Sequence, residues 1–402
     1  MILKSKVEMD KALKFITDKF DLDTDGTSSF EVPKLEAPSN FSLGLIVGAS
    51  GTGKSSLLRQ FGQEEVLEWT PNKAIISHFE DGDIGSRKLM SVGFNSVPSW
   101  VKPFQVLSNG EQHRASLARA LKDNAVVDEF TSVVDRQVAK AMACGVRRFV
   151  DYNKLKNVVI ASCHHDIIEW LQPDWVFDTN TQSLTVGRLD RRPPVKLDIY
   201  EDKSKWDIFA KHHYLTGSIN KASRQYVAYW EGVPVGFCSS LSMPGGTVKN
   251  AWREHRTVVL PDYQGLCIGK ELSNFLARKH IEEGNRYFSK TTHPKLGIFR
   301  DTCKSWIGTS KNGIERPSED YSKNTMNGLN NTLRTVKSFS HEYVGNIKED
   351  DIYYFKEDRS KCVIIISQKL TKKIKEVTVE YQGQEFTDTR QEFFKTFTKE
   401  NQ

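Results

Sequence analysis

The 402-residue sequence predicts an α/β protein with two domains. In two separate stretches, residues 43–58 and residues 256–278, an apolar strand leads through a glycine-containing loop into a helix. Between these stretches, residues 188–196 combine two adjacent prolines with charged residues, which is typical of a linker. We therefore expect one domain at residues 1–190, a second at 191–350, and a C-terminal extension at 351–402.

The composition is that of a globular protein, with 38% hydrophobic residues. No apolar run approaches the roughly 20 residues that span a bilayer, and the charged N-terminus does not resemble a secretory signal. The six cysteines lie far apart without a CxxC pair, which argues against a disulfide framework and against a zinc site. These features predict a cytoplasmic protein without a membrane partner.

The net charge of +6 is distributed unevenly. Residues 191–300 carry 18 basic and 10 acidic side chains, so the positive excess belongs to this middle segment. Such an excess favours a polyanionic partner or a phosphate-bearing cofactor. A solvated basic face explains the charge alone equally well.

The N-terminal region predicts a helix over residues 7–20, followed by an acidic turn. One aromatic residue of this region, Phe20 or Phe30, either stacks on an adenine ring or packs in the core.

The first glycine loop, residues 48–56, reads GASGTGKSS and follows the apolar run 43–47. This spacing is a P-loop, in which small residues let backbone N–H groups approach a phosphate chain. Lys54 then reaches the β and γ phosphates, and Ser55 offers its hydroxyl to Mg²⁺. The helix N-terminus adds partial positive charge and unpaired donors. The predicted ATP-binding residues are Gly48, Ser50, Gly51, Gly53, Lys54, Ser55 and Ser56.

Further motifs follow this loop in a fixed order. Residues 107–111 read LSNGE and precede a helical pattern, and the apolar pair 126–127 ends in two carboxylates, Asp128 and Glu129. A second strand, residues 158–161, runs into Ser-Cys-His-His-Asp at 162–166. Each motif is common alone, but their occurrence in this order after a P-loop is not coincidental.

The order resembles that of the ABC-type ATPases over residues 30–190. The resemblance implies that Asp128 helps to hold Mg²⁺ and that Glu129 positions the attacking water. The histidine that contacts the γ phosphate corresponds to His165, with His164 as the alternative. ATP hydrolysis in this arrangement depends on positioning and charge neutralisation rather than on covalent chemistry.

In the same family, the signature loop contacts ATP held by a second subunit. Ser108 and Gly110 match that loop, and Asp135 matches the acidic residue between the two sites. We therefore expect an ATP-dependent homodimer. Asn109 replaces the usual glycine, and no clear glutamine loop lies between Lys54 and the signature. Soluble ABC ATPases that act on nucleic acid are therefore a better comparison than transporters.

In the second half, residues 226–229 and 235–239 predict two strands joined by a turn, and a third strand at 256–260 leads into the second glycine loop. This part resembles the GNAT acetyltransferases, in which the pattern Q/R-x-x-G-x-G/A cradles the pyrophosphate of acetyl-CoA or another acyl-CoA. Gln264 and Gly269 match the pattern, while Cys267 takes the place of its first glycine. The implied cofactor-binding residues are Val258, Leu260, Gln264, Gly265, Gly269 and Lys270.

Acyl transfer to an amine requires one group to accept the amine proton and another to protonate the leaving thiolate. His213, Tyr214 and Asp262 are the predicted catalytic residues, with His293 as a further candidate. For each of them, a structural role in the core remains an equal alternative.

Three stretches look like family hallmarks: EFTSVVDR at 129–136, EWLQPDWVFD at 169–178 and VVLPDYQG at 258–265. Through them the whole chain resembles a family of ABC-type ATPases fused to an acetyltransferase domain, found in phages and prokaryotes. The second half is also similar to the Mom-type acyltransferases, which modify the exocyclic amine of adenine in phage DNA. The predicted function is ATP-assisted N-acylation of a nucleobase in DNA, in the host cytoplasm if the chain is phage-encoded. The alternatives are an ATP-gated protein or small-molecule N-acetyltransferase, and a DNA-binding ATPase with an inactive GNAT module.

Overall fold

The computed structural model describes residues 2–188, 192–213, 217–245, 248–317, 335–347, 351–370 and 375–399. The chain forms two compact units. Unit 1 contains Met1–Val195 and Pro261–Leu266, and unit 2 contains Lys196–Leu260 and Cys267–Gln402. The first boundary lies at the predicted linker. The short segment 261–266 lies between two stretches of unit 2 in the sequence but belongs to unit 1. This arrangement was not predicted.

Unit 1 begins with two antiparallel strands that are connected through one helix. Its elements, in chain order, are β1 (Ile2–Lys6), α1 (Lys11–Phe20), β2 (Thr27–Glu31), β3 (Leu43–Val47), α2 (Lys54–Leu58), α3 (Gly82–Ser91), α4 (Val97–Trp100), α5 (Asn109–Ala120), β4 (Val126–Val127), α6 (Arg136–Asn153), β5 (Val158–Ser162), α7 (Ile168–Leu171), β6 (Trp175–Asp178) and β7 (Ser183–Val186). The helix predicted from residue 7 starts instead at Lys11, because the Asp10 side chain accepts a hydrogen bond from Leu13 N–H and caps it.

The central sheet of unit 1 has the order β4-β5-β3-β6-β7. Strands β4, β5, β3 and β6 are parallel, and β7 is antiparallel to β6. Val47, the last residue of β3, pairs with Ser162 on one side and Asp178 on the other. The carboxyl ends of these strands therefore meet at one edge, where loops of such sheets commonly bind ligands.

Strand β3 lies in the middle of this sheet and is buried along its whole length. A buried parallel strand is expected to be apolar on both faces, as the sequence LGLIV is. The ring of Trp175 packs directly on Gly44, where a Cβ atom would overlap it. This packing fixes the position of β3, from which the glycine-rich loop begins.

Unit 2 contains a larger sheet and a C-terminal module. Its elements are β8 (Asp198–Glu201), α8 (Trp206–Ala210), β9 (Arg224–Trp230), β10 (Val233–Ser242), β11 (Ala251–Val259), α9 (Ile268–Glu282), β12 (Arg286–Thr291), α10 (Pro294–Thr302), β13 (Trp306–Gly308), β14 (Ile314–Pro317), β15 (Thr335–Tyr343), β16 (Ile352–Phe355), β17 (Cys362–Leu370), β18 (Lys375–Tyr381), β19 (Gln384–Thr389), α11 (Arg390–Thr396) and β20 (Phe397–Thr398).

The larger sheet has the order β13-β15-β12-β11-β10-β9-β8, and β14 pairs with β15. Strands β11 and β12 are parallel and pair only through Ala251–Arg253 and Arg286–Phe288. Beyond these residues the two strands lose their pairing, so the sheet opens at their carboxyl ends. Helix α9 packs on β10, where Gly236 leaves room for Leu272 and Ile268.

The C-terminal residues form a five-stranded sheet of order β19-β18-β17-β16-β20 together with α11. This module belongs to unit 2. Gln391 Nε2 donates to the carbonyl of Gly284 at 3.0 Å, just beyond the end of α9. The strand-like runs at 362–367 and 377–381 lie within β17 and β18. The predicted extension is thus a folded part of unit 2. Within the described residues, no helix is long and apolar enough to cross a bilayer.

Candidate functional site

The loop Gly48–Ser56 follows β3 and leads into α2. Gly48 has a φ of +148°, and a Cβ atom at this position would overlap the Thr179 side chain. Gly53 has a φ of +90°, and a Cβ there would lie 2.8 Å from the ring of Phe30. Both positions therefore require glycine. The contact also places Phe30, one of the two aromatic residues considered for adenine stacking, beside the loop.

Lys54 is buried, with 6% of its surface exposed, and its Nζ donates to the carbonyl of Ala49 at 2.7 Å. The lysine thus lies along the inside of the loop. Ser50, Gly51 and Ser55 are exposed, and Ser56 is half-buried. A buried ammonium group, a helix N-terminus and exposed hydroxyls around a glycine-rich backbone fit the phosphates of a nucleotide.

The acidic residues lie at the same sheet edge. Asp128 directly follows β4, and its Oδ1 accepts a hydrogen bond from Glu129 N–H at 2.9 Å. Glu129 is exposed and has a φ of +51°. Glu64, which the sequence analysis did not single out, accepts from Asp128 N–H at 2.5 Å. This brings a third carboxylate to the edge, through a contact between residues that are far apart in the sequence.

The two adjacent histidines have different partners. His165 Nε2 lies 3.0 Å from Asp178 Oδ2 at the end of β6. His164 Nδ1 lies 2.7 Å from Thr131 Oγ1. Burial, followed by the charge of Arg136, lowers the pKa of His164. His165 is the more exposed of the two, so it is the histidine better placed to meet a ligand at this edge.

Ser108 and Asp135 are helix caps. Glu111 N–H donates to Ser108 Oγ, and Glu111 Oε2 accepts from Ser108 N–H at 3.1 Å, which completes a capping box at the start of α5. Asp135 accepts from the first N–H groups of α6. The Gly110 carbonyl accepts from Arg114 Nε at 3.1 Å. The predicted contact of Ser108 and Gly110 with the nucleotide of a second subunit stays a prediction.

Pro261–Leu266 is the segment of the second glycine loop that belongs to unit 1. Asp262 Oδ1 accepts from Arg114 Nη1 at 2.5 Å, and only 9% of the Arg114 side chain is exposed. Asn95 Nδ2 donates to the Pro261 carbonyl at 2.8 Å. Gln264 N–H closes the turn on the same carbonyl at 3.3 Å. Asp262, predicted as catalytic, is thus engaged in an ion pair, while its role in catalysis stays a prediction.

Cys267 and Gly269 begin the unit 2 side of this loop. Cys267 has φ 65° and ψ 9°, the left-handed conformation that glycine adopts most readily, and it precedes α9. Gly269 packs on β11, where a Cβ would lie 3.4 Å from Val259 Cγ2. The cysteine therefore preserves the backbone path of the predicted glycine pattern, and the N–H groups of the first helical turn remain available to an anion.

Three other predicted cofactor residues have partners inside the protein. Leu260 N–H donates to the carbonyl of Val235 at 3.0 Å, just beyond the end of β11. The Val258 side chain is part of a core cluster with Phe237. Lys270 Nζ lies 4.2 Å from the centre of the Phe299 ring. The predicted role of these residues toward an acyl carbonyl or a phosphate stays a prediction.

A buried ion pair lies where β11 and β12 separate. Arg300 Nη2 donates to Glu254 Oε2 at 2.6 Å, and Arg300 Nη1 donates to Ser289 Oγ at 2.6 Å. Ser289 and Thr257 also donate to the Glu254 carboxylate. Burial would raise the pKa of Glu254, but Arg300 and these hydroxyl groups outweigh it and lower the pKa. This pair was not predicted, because Glu254 is one of four consecutive ionisable residues, 253–256, and nothing local distinguishes it from its neighbours.

The remaining catalytic candidates lie elsewhere in unit 2. His213 follows α8, with its ring 6.3 Å from that of Trp206, and His293 caps α10. Tyr214 lies outside the described residues. His255, also missed, is the extra residue at a bulge of β11, and its Nε2 accepts from Asn220 N–H at 3.3 Å. Burial and the nearby charges of Arg256, Arg253 and His213 lower the pKa of His255 to about 4.

Across the described part of the chain, no group of three His, Cys, Asp or Glu side chains is arranged to hold a metal ion. Mg²⁺ bound with a nucleotide takes few protein ligands and several phosphate and water oxygens. Ser55 and Asp128, at the same sheet edge, supply a hydroxyl and a carboxylate of this kind. The residues therefore fit a magnesium–nucleotide complex.

The sequence pattern of the acetyltransferase (GNAT) family matches residues 165–296, about a third of the chain. The chain therefore contains a GNAT acetyltransferase domain, as predicted. Among curated proteins, no match to the chain is found.

Solved structures similar to this chain include three acetyltransferases. The ribosomal-protein-S18-alanine N-acetyltransferase from Escherichia coli is 10% identical, with a TM-score of 0.28, and the match covers 37% of this chain and 93% of that protein. The IAA acetyltransferase from Bacillus cereus is 12% identical, with a TM-score of 0.29 and coverages of 37% and 99%. A GNAT family acetyltransferase from Elizabethkingia anophelis with acetyl-CoA bound is 10% identical, with a TM-score of 0.28 and coverages of 37% and 97%.

Proposed function

We propose that this protein is an acyl-CoA-dependent N-acetyltransferase that is assisted by ATP hydrolysis and acts on an amine of DNA. One observation carries the transferase part. Within the matched segment, β11 and β12 pair only over three residues and then separate, and the glycine turn and α9 follow directly. An opening of this kind can admit the thioester of an acyl-CoA. The neighbouring helix N-terminus can bind the diphosphate of the same molecule.

In the transfer step, the amine nitrogen attacks the thioester carbonyl carbon. The new C–N bond forms as the C–S bond breaks, the thiolate of CoA takes up one proton, and the amine gives up one. Gly269 and the first turn of α9 bind the diphosphate in this proposal. His213 and Tyr214 are the candidates that move the protons, joined by His255, whose lowered pKa keeps it neutral near pH 7.

The ATPase part rests on the sheet edge of unit 1. Lys54 and the loop N–H groups would neutralise and hold the phosphates, and Ser55 and Asp128 would hold a Mg²⁺ ion that supplies further positive charge. Glu129 and His165 orient the attacking water. Water adds to the γ phosphorus as the bond to the bridging oxygen breaks, which yields ADP, phosphate and a proton. Ser108 and Gly110 contribute from a second subunit in an ATP-bound homodimer.

The choice of DNA as acceptor is supported by charge. The surplus of basic residues in 191–300, 18 against 10 acidic, falls on the transferase part of the chain. A base inside a duplex must leave the stack before its exocyclic amine can enter a cleft, at a cost of a few kcal/mol. In this proposal, ATP-driven closure of the dimer offsets the free-energy cost of unstacking the base. This coupling explains why the ATPase and the transferase are parts of one chain.

The test incubates the full-length protein with radiolabelled acetyl-CoA and with duplex or single-stranded DNA, with and without ATP, and then identifies modified nucleosides by mass spectrometry. We expect label on DNA, at least tenfold less with duplex for Lys54→Ala, and a smaller loss with single strands. Gly269→Glu, which places bulk and negative charge at the diphosphate, should abolish transfer to both.

Other outcomes separate the alternatives. Label on protein or on small amines with none on DNA contradicts the DNA acceptor and favours a protein or small-molecule acetyltransferase. Failure of the wild-type protein to bind acetyl-CoA in calorimetry contradicts the transferase and leaves a DNA-binding ATPase. Modification of duplex DNA that is unchanged in Lys54→Ala contradicts the coupling.

A further inference from the structure

The turn after β6, residues 178–180, holds both the glycine-rich loop and His165. Thr179 Oγ1 lies 2.5 Å from Thr52 Oγ1, and Asn180 Oδ1 accepts from Ala49 N–H at 3.1 Å. Thr179 N–H also donates to the carbonyl of Val47 at 2.8 Å. This turn ends the run EWLQPDWVFD, whose acidic last residue the nucleotide site described above does not use.

Asp178 reaches His165 across the end of β3. Strands β5 and β6 flank β3 in the sheet, so their carboxyl ends lie about 10 Å apart. His165 follows β5 and Asp178 ends β6, and their side chains meet at 3.0 Å directly beside Val47 and the start of the loop. The pair therefore stands next to the place where the loop would hold phosphates.

The hydrogen bond determines which nitrogen of His165 carries a proton. Burial would raise the pKa of Asp178, but hydrogen bonds from Asn180 N–H and His165 outweigh it and hold this pKa below its ordinary value. An ionised carboxylate only accepts hydrogen bonds, so the Nε2 of His165 is the donor. In the neutral ring, Nδ1 is then the nitrogen that carries no proton and can accept a hydrogen bond.

We propose that Asp178 is the positioning residue of His165, and that His165 acts on the nucleotide or its attacking water through Nδ1. This inference rests on the proposed ATPase function. A carboxylate that fixes the tautomer and orientation of an imidazole commonly changes the rate of the chemical step more than the binding of the substrate. Through Thr179 and Asn180, the same turn also ties this orientation to the shape of the phosphate-binding loop.

The test compares Asp178→Asn, His165→Ala and the double variant in steady-state ATP hydrolysis by the full-length protein. We expect Asp178→Asn to lower kcat about 10- to 100-fold, with the KM for ATP changed less than threefold. Because Asp178 acts through His165, the double variant should be no slower than His165→Ala. Asp178→Glu should recover part of the rate.

Asp166→Asn is the matched control, since Asp166 adjoins His165 in sequence but pairs with Arg136. It should keep kcat within threefold of wild type. Nitrogen-15 NMR of the imidazole should show a protonated Nε2 in the wild type and a mixture of tautomers in Asp178→Asn.

Additive losses in the double variant, or an Asp178→Asn enzyme as fast as wild type, would overturn the positioning role while leaving the ATPase intact. A wild-type protein that hydrolyses no ATP would overturn the ATPase proposal and this one together.

Discussion

At the scale of single residues, the glycine-rich loop depends on how closely Gly48 approaches Thr179. The hydroxyl of Thr179 bonds to Thr52 and to the carbonyl of Val47, so this side chain cannot turn away without losing both partners. Cys267 shows the opposite case. It is exposed and adopts a left-handed conformation with φ 65°, which glycine adopts at a lower energetic cost.

We predict that Gly48→Ala lowers stability by about 1–3 kcal/mol, from the unfavourable φ and the overlap with Thr179, and abolishes binding of a fluorescent ATP analogue. Gly82→Ala is the control. Gly82 opens α3 with nothing within 4 Å of an added Cβ, so this change should be neutral or stabilise by about 0.4–1 kcal/mol. Urea unfolding measures both. Equal effects of the two variants would contradict the close packing of the loop.

At the scale of secondary-structure elements, the opening between β11 and β12 is closed at its base by Glu254 and Arg300. The Arg300 side chain is fully buried and extends from α10 to the two strands, where it meets Glu254 and Ser289. Breaking one half of a buried pair leaves a charge without compensation, which costs more than removing both halves.

We predict that Arg300→Met destabilises unit 2 by about 3–5 kcal/mol, and that the double variant with Glu254→Gln recovers most of this loss. The pH dependence has a definite sign. The pKa of Glu254 is lower in the folded state, so its contribution is complete above the unfolded value of about 4.3 and is lost as pH falls below it.

Urea unfolding at pH 7 and at pH 3.5 tests both expectations. The wild type should lose more stability at low pH than the uncharged double variant. If Arg300→Met costs under 1 kcal/mol, or if both proteins respond equally to acid, the ion pair does not stabilise the opening.

At the scale of the whole molecule, the loop at Ser108 caps a helix of its own chain. We expect the same loop to contact the nucleotide bound by a second subunit in a dimer. Ser108 and Asp135 complete the N-termini of α5 and α6. In the proposed dimer, Ser108 and Gly110 complete the nucleotide site of the other subunit. Assembly should therefore depend on bound ATP rather than on the protein alone.

We predict that Glu129→Gln forms a stable dimer with ATP and Mg²⁺, because it binds the nucleotide without hydrolysing it. Lys54→Ala should remain monomeric under the same conditions, since it does not hold the phosphates. Sedimentation velocity at micromolar protein concentration distinguishes the two states. A Glu129→Gln protein that stays monomeric with ATP would contradict the dimer.

The sequence by itself determined the features that depend on neighbouring residues. The strand before Gly48, the helix that begins at Asn109 and the helix after Cys267 could be predicted, because each follows from chemistry within a few positions of the chain. The GNAT character of the second half could also be predicted, from its resemblance to that family at Gln264 and Gly269.

The tertiary structure alone decided which distant side chains meet. Glu254 and Arg300 lie 46 residues apart, Asp128 and Glu64 lie 64 apart, and Arg114 and Asp262 lie 148 apart. His165 and Asp178 are closer in sequence, yet they meet only because β3 passes between their two strands. Strand order and the exchange of Pro261–Leu266 into unit 1 are properties of the packed chain. They arise from burial of apolar faces over long sequence separations, which no local pattern contains.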